Sequence, residues 1–220
     1  MIKSILKFFA LFCLGYFLLL FCFSITAVEQ KTSSLFSSTA EAATKTVLSE
    51  RHLYFQYPEG MANPNYIRVA YETQANIDKQ FEAARQKQEA QPNIAMRTYT
   101  FFFREFVVLP FIFLLALVAA TPLPFKKRLY GLLGGSLLFA GYTYLRISGI
   151  LAYELYAEKD GQGIAAQALE GFVLFLQSTG ASFIVAIFIW ILLFFQIGGW
   201  QRAVNAITSL NAGTAPKGKP

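Results

Sequence analysis

The sequence predicts an all-α membrane protein of four transmembrane helices, with a mixed α/β or mainly helical extracytoplasmic segment between helices 1 and 2. Three observations carry that reading. The 220 residues are 55% apolar and include 23 Phe, more than a soluble domain of this size uses. Two apolar segments, Phe101 to Thr121 and Leu129 to Leu145, are separated only by Pro122-Leu123-Pro124-Phe125 and the basic triplet Lys126-Lys127-Arg128. Each approaches the roughly 20 residues needed to cross a hydrocarbon core of about 30 Å, so together they read as a helical hairpin with a positive elbow. The net charge of +6 is distributed to match: Lys3, Lys7, the elbow, Arg202, Lys217 and Lys219 all fall on segments assigned to one face of the membrane. Basic connecting segments favour the cytoplasmic side, which makes the basic balance a topology signal and not a nucleic-acid footprint.

The first element is an N-terminal anchor over residues 1–27, an apolar run from Phe8 to Phe23 behind Lys3 and Lys7. Neither Ala27 nor Ala40-Glu41-Ala42 offers a small-residue cleavage pattern at the right distance, so the run reads as uncleaved, with its N-terminus cytoplasmic. Cys13 and Cys22 lie nine residues apart within it. About 13 Å of helix rise separates them, too far for a disulfide.

Residues 28–100 form the extracytoplasmic segment, with eight basic and eight acidic side chains in balance. Glu29 to Ser49 suits a helical extension or stalk. Tyr54, Phe55, Tyr57 and Tyr66, interleaved with Pro58-Glu59-Gly60 and Asn63-Pro64-Asn65, suggest short strands and turns. Ile67 to Ala90 reads as a helix ended by Pro92 and Asn93. So few large aliphatic side chains make a marginal core, and the segment is expected to lean on the membrane or a partner.

A three-helix transmembrane region follows over residues 101–199. Pro110 is expected to kink the second span, because it removes one backbone hydrogen bond. In the third span, Gly131 and Gly135 have the spacing that lets two helices approach closely. Glu154, Glu158, Asp160 and Glu170 form an acidic outer loop. Gly171 to Gln196 is the last span, interrupted at Gln177-Ser178-Thr179-Gly180, and Trp200 and Arg202 mark its inner boundary ahead of a cytoplasmic tail over residues 200–220.

The chain offers little for catalysis. His52 is the only histidine, and both cysteines sit in the anchor, so no catalytic residue, metal site or cofactor is predicted. The candidate site is a polar layer of Arg104, Glu105, Arg146, Glu154 and Gln177 near the outer ends of spans two to four. Opposite charges in low dielectric should pair, as Glu105 with Arg146 or Arg104 with Glu154. The bland reading of Arg146 is a helix-end arginine that snorkels to the headgroups.

The elbow Ala120-Thr121-Pro122-Leu123-Pro124-Phe125-Lys126-Lys127-Arg128, following one anchor and an outer segment, resembles small accessory membrane proteins that accompany bacterial exosortases. The resemblance covers mainly Tyr99 to Arg146. It implies a non-catalytic integral subunit or accessory factor of a bacterial cell-envelope complex concerned with protein sorting. The expected location is the inner membrane, multi-pass with both termini cytoplasmic, with the lipid bilayer and other membrane proteins as partners and no nucleic acid. The alternatives are a small transporter or channel component, and a membrane-embedded enzyme acting on a headgroup at the outer leaflet.

Overall fold

A computed structural model of the chain describes residues 2–47, 51–56, 66–87, 94–156 and 164–198. The expected turns at 58–60 and 63–65, the helix stop at Pro92, the loop residues Glu158 and Asp160, and the tail 200–220 lie outside the described residues.

The described chain is mostly helical, with one small sheet. In order, it forms α1 (Ile2–Phe23), α2 (Thr26–Val47), β1 (Arg51–Gln56), β2 (Tyr66–Thr73), α3 (Gln74–Gln86) and β3 (Arg97–Phe102). A π-helical turn at Arg104–Val108 then leads into α4 (Leu109–Ala120), followed by α5 (Phe125–Tyr156), α6 (Ile164–Gln177) and α7 (Thr179–Gly198). By length and composition, the Leu6–Phe23 part of α1 is apolar enough to cross a membrane. The pair Gln167–Gln177 and Thr179–Phe194 meets the same criterion jointly, but is bent by 79° at its break.

α4, α5 and α7 pack on one another, and α1 lies along α4. The inward stripe of α1 is Phe8, Phe12, Tyr16, Leu19 and Phe23, spaced at three and four residues as a single helical face requires. Phe12 meets Phe113 edge to face at 5.5 Å, and Phe8 lies 6.2 Å from Trp190. Cys13 and Cys22 are free thiols on the exposed side of this helix.

The sheet is an antiparallel meander in the order β1-β2-β3. Here the structure departs from the sequence reading twice. The expected helix from Ile67 to Ala90 begins only at Gln74, because Ile67, Val69 and Tyr71 alternate at period two and form one buried face of the central strand, with Ala70 and Glu72 buried on the other. The helix starts where Thr73 caps it, its side chain accepting from the Asn76 backbone N–H. Likewise Phe101 and Phe102 close β3 instead of opening the second span, with Tyr99 and Phe101 turned inward and Thr98, Thr100 and Phe102 exposed.

Two apolar clusters hold the molecule together. Ile67, Val69, Tyr71 and Phe101 from the sheet join Phe103, Phe106 and Ile112, and Ile147, Ile150 and Leu151 of α5. The sheet therefore shares a core with the bundle and does not build one of its own. The second cluster, Leu114, Val118, Phe139, Ala186 and Ile189, fills the bundle toward the elbow. There Gly135 is the point of closest approach: an added Cβ would lie 3.1 Å from Leu193 Cδ1 and 3.7 Å from Leu114 Cδ2. Gly131 is buried one turn away and lines a small gap with Trp190 and Leu193. The indole Nε1 of Trp190 donates to Thr121 Oγ1 at 2.9 Å, fastening α7 to the end of α4.

Candidate functional site: a buried arginine at a helix break

Pro110 has no N–H, so the carbonyl of Phe106, four residues earlier, loses its ordinary helical donor. The chain widens into a π turn just before the proline, with the Leu109 N–H reaching back to Arg104 O. The Ser182 hydroxyl of α7 then donates to the freed Phe106 carbonyl at 3.1 Å. Where a kink at Pro110 is expected, the chain shows a π turn over the five residues Arg104–Val108 ahead of it.

A second break lies opposite. α6 ends at Gln177, and Ser178 starts α7 as an N-cap, its hydroxyl 3.4 Å from the Ala181 backbone N–H. Such an end leaves helix carbonyls without intrahelical donors. Arg146 supplies one to the Leu176 carbonyl and adds a second to the Ser178 carbonyl, which already accepts from the Ala181 N–H at 3.2 Å. Its Nε donates to Leu176 O, its Nη2 to Ser178 O at 2.8 Å, and its Nη1 to Ser182 Oγ. The guanidinium carbon also lies 3.4 Å from the centroid of the Phe106 ring, in cation–π contact.

Arg146 is 2% exposed, among the most completely buried large side chains. A snorkelling arginine is thus not what the structure contains. Nor does the guanidinium pair with Glu105, which is exposed on the π turn. Its positive charge faces the Leu176 carbonyl at the C-terminus of α6, where the helix dipole favours cations. Among the described residues, Arg146 makes no ion pair, and its planar fork matches two carbonyls and a hydroxyl better than an ammonium would.

The rest of the predicted layer is dispersed. Arg104 is half-buried and gives Nη2 to Ser24 Oγ at 3.3 Å, at the junction of α1 and α2, and not to Glu154. Glu154 accepts through its backbone carbonyl from Arg97 Nη1 at 3.5 Å. Gln177 lies half-buried at the break, where the neighbouring carbonyls of Leu176 and Ser178 engage Arg146. Tyr99 stands at the sheet edge of this region. Burial raises its phenol above the ordinary value of 10.0, the nearby Arg146 charge opposes that rise, and Glu154 adds to it.

Three participants were not singled out from the sequence. Ser182 was one more small residue in an apolar run; only its packing opposite Pro110 distinguishes it. Glu72 is buried, accepting from the Thr73 N–H at 2.9 Å and from Asn76 Nδ2 at 3.0 Å, with Arg97 Nε at 4.0 Å. Arg97 thereby ties the sheet to α5. His52 pairs in register with Glu72 on β1 and β2. Among the described residues, no group of three or more His, Cys, Asp or Glu side chains converges on a point that suits a metal ion.

No protein-family model matches the chain, and no curated protein and no solved structure is significantly similar to it.

Proposed function

We propose that this chain is a four-span, non-catalytic subunit of a bacterial inner-membrane complex, an accessory factor that presents its sheet and α2–α3 region on the outer face. The observation that carries the non-catalytic reading is the state of Arg146. The deep cation of the bundle is occupied by Leu176 O, Ser178 O and Ser182 Oγ, and so acts as a clamp between α5, α7 and the π turn.

The four-span reading is supported by lengths and by polarity. The helical stretch from the π turn through Ala120 rises about 25 Å at 1.5 Å per residue, and α7 about 30 Å, close to the thickness of a hydrocarbon core. α5 has 32 residues and rises about 48 Å, long enough to cross and to continue beside the sheet. Large apolar side chains cover the outer surfaces, including Leu14, Phe17 and Phe21 on α1, Leu133, Leu137 and Leu145 on α5, and Phe188 and Leu192 on α7. Such a belt suits contact with lipid. Lys3 and Lys7 precede Phe8, which lies by Trp190 and so by Thr121 and the basic elbow, while Arg104 and the sheet occupy the opposite end. Protein sorting by a membrane-embedded transpeptidase is the process this accessory role would serve, on the resemblance of the elbow region.

Purification of the tagged full-length protein in mild detergent, with quantitative mass spectrometry of what remains bound, tests the proposal. A stoichiometric membrane partner is the expected result. A monomer or homo-oligomer free of other proteins contradicts it and favours a self-contained transporter or outer-leaflet enzyme.

A further inference from the structure

A groove of about 350 Å³ runs between α2 and the face shared by α4 and α5, with walls of Phe36, Phe103, Val107, Phe111, Phe139 and Tyr144. It descends from Phe103 to Phe111 on one wall and from Tyr144 to Ser136 on the other. Eight residues of helix are about 12 Å, nearly the depth of one leaflet in a core of about 30 Å. Exposed Leu35 stands at its margin, and α2 is held over it by the Tyr144 hydroxyl, which donates to Thr39 Oγ1 at 2.7 Å.

At the upper rim lies a cation. Arg104 is one turn above Val107 and Val108 on the same helical face, and its guanidinium touches Ser24, next to the groove residue Phe23. That single hydrogen bond leaves most of its five donors uncommitted, and among the described residues it meets no carboxylate. An apolar slot of leaflet depth beneath an available guanidinium is complementary to one acyl chain beneath a phosphate.

We propose that the groove holds an anionic phospholipid of the outer leaflet, its chain between Phe36 and Phe139 and its phosphate on Arg104. The assignment rests on the four-span reading. The occupant is a bilayer lipid and not a peptide helix, because the slot is walled on three sides by this chain's own helices and is only about half as long as a membrane-spanning helix.

The test is native mass spectrometry of the full-length protein released from detergent containing equal amounts of phosphatidylglycerol and phosphatidylcholine. The wild type should retain phosphatidylglycerol with about a tenfold preference, because in phosphatidylcholine the choline ammonium already compensates the phosphate charge and opposes Arg104. Arg104→Gln should bring that preference close to unity while chain binding persists. Ala140→Phe, which fills the slot, and Leu35→Trp, which blocks its margin without entering the bundle, should each reduce retention of both lipids. Equal retention of the two lipids by the wild type, retention unchanged in both blocking variants, or a homodimer crosslinked through position 35 would overturn the assignment. Alkaline carbonate extraction of membranes separates the two claims. Release of the protein contradicts the four-span reading and the groove with it, whereas firm retention without lipid preference contradicts the groove alone.

Discussion

The guanidinium of Arg146 stacks on the ring of Phe106, and Ser182 bonds both residues, giving a hydrogen bond to the Phe106 carbonyl and accepting one from Arg146. Two backbone irregularities, the π turn ahead of Pro110 and the break at Ser178, thus resolve each other through one side chain. On the proposed four-span reading, this pairing is how non-helical backbone at membrane depth would be satisfied by protein groups.

Removing the clamp should loosen the bundle more than removing an ordinary surface arginine. Arg146→Ala leaves the part-buried Leu176 carbonyl without its donor, at a cost of about 1–3 kcal/mol, and removes one of two partners from Ser178 O, which keeps the Ala181 N–H, and from Ser182 Oγ, which keeps the Phe106 carbonyl. Thermal unfolding in detergent should show a large loss for this variant and only partial recovery for Arg146→Lys, whose point charge cannot reach all three acceptors. Equal stability of the lysine variant and the wild type would argue against the fork geometry.

Ser182 and Pro110 should be coupled. Ser182→Ala exposes the cost of the orphaned Phe106 carbonyl, about 1–2 kcal/mol. Pro110→Ala restores an N–H at position 110, so in that background the serine should matter less. A double-mutant cycle on unfolding free energy reads the difference, and strict additivity would show that the hydroxyl is not replacing the missing helical donor.

Glycines in α5 should divide by what surrounds them. Gly135→Leu drives a side chain into Leu193 and Leu114 and should cost about 1–3 kcal/mol, as overpacking does. Gly141 has open space where its Cβ would be, so Gly141→Leu should be close to neutral. Melting temperatures of the two variants in the same detergent make the comparison.

Tyr99 predicts an alkaline limit. Its pKa in the folded chain is raised above 10.0 by burial, so the folded state holds the phenolic proton more tightly than the unfolded chain. The stabilisation is complete below pH 10 and is lost as pH rises through the folded value. Tyr99→Phe should therefore flatten the fall in stability above pH 10, and an unchanged alkaline slope would remove Tyr99 as its source.

What the sequence made legible was set by composition and by special residues. The apolar N-terminal helix, the helical hairpin with its basic elbow, the irregularity near Pro110, the interruption at Gln177 to Gly180 and the close approach at Gly135 are each written in a residue type with one physical consequence. The strand at Tyr66–Thr73 is obscured because Ala70 and Glu72, on the face opposite Ile67, Val69 and Tyr71, are buried too, and burial on both faces of a central strand weakens the alternation. The partners of Arg146 are illegible for a different reason. The carbonyls at a helix break carry no mark in the sequence, and they, not Glu105, are its acceptors. Ser182 was legible only once Pro110 was known to lie across from it.

The proposed function places the sheet and the elbow on opposite faces of a membrane. It is tested by cysteine labelling in intact cells, in a background with Cys13 and Cys22 replaced by alanine. Single cysteines replace exposed Thr98 on β3 and exposed Lys126 in the elbow, and each is probed with a membrane-impermeant maleimide. The account predicts labelling at position 98 before lysis and at position 126 only after it. Labelling of both positions in intact cells, or protection of position 98, would contradict it.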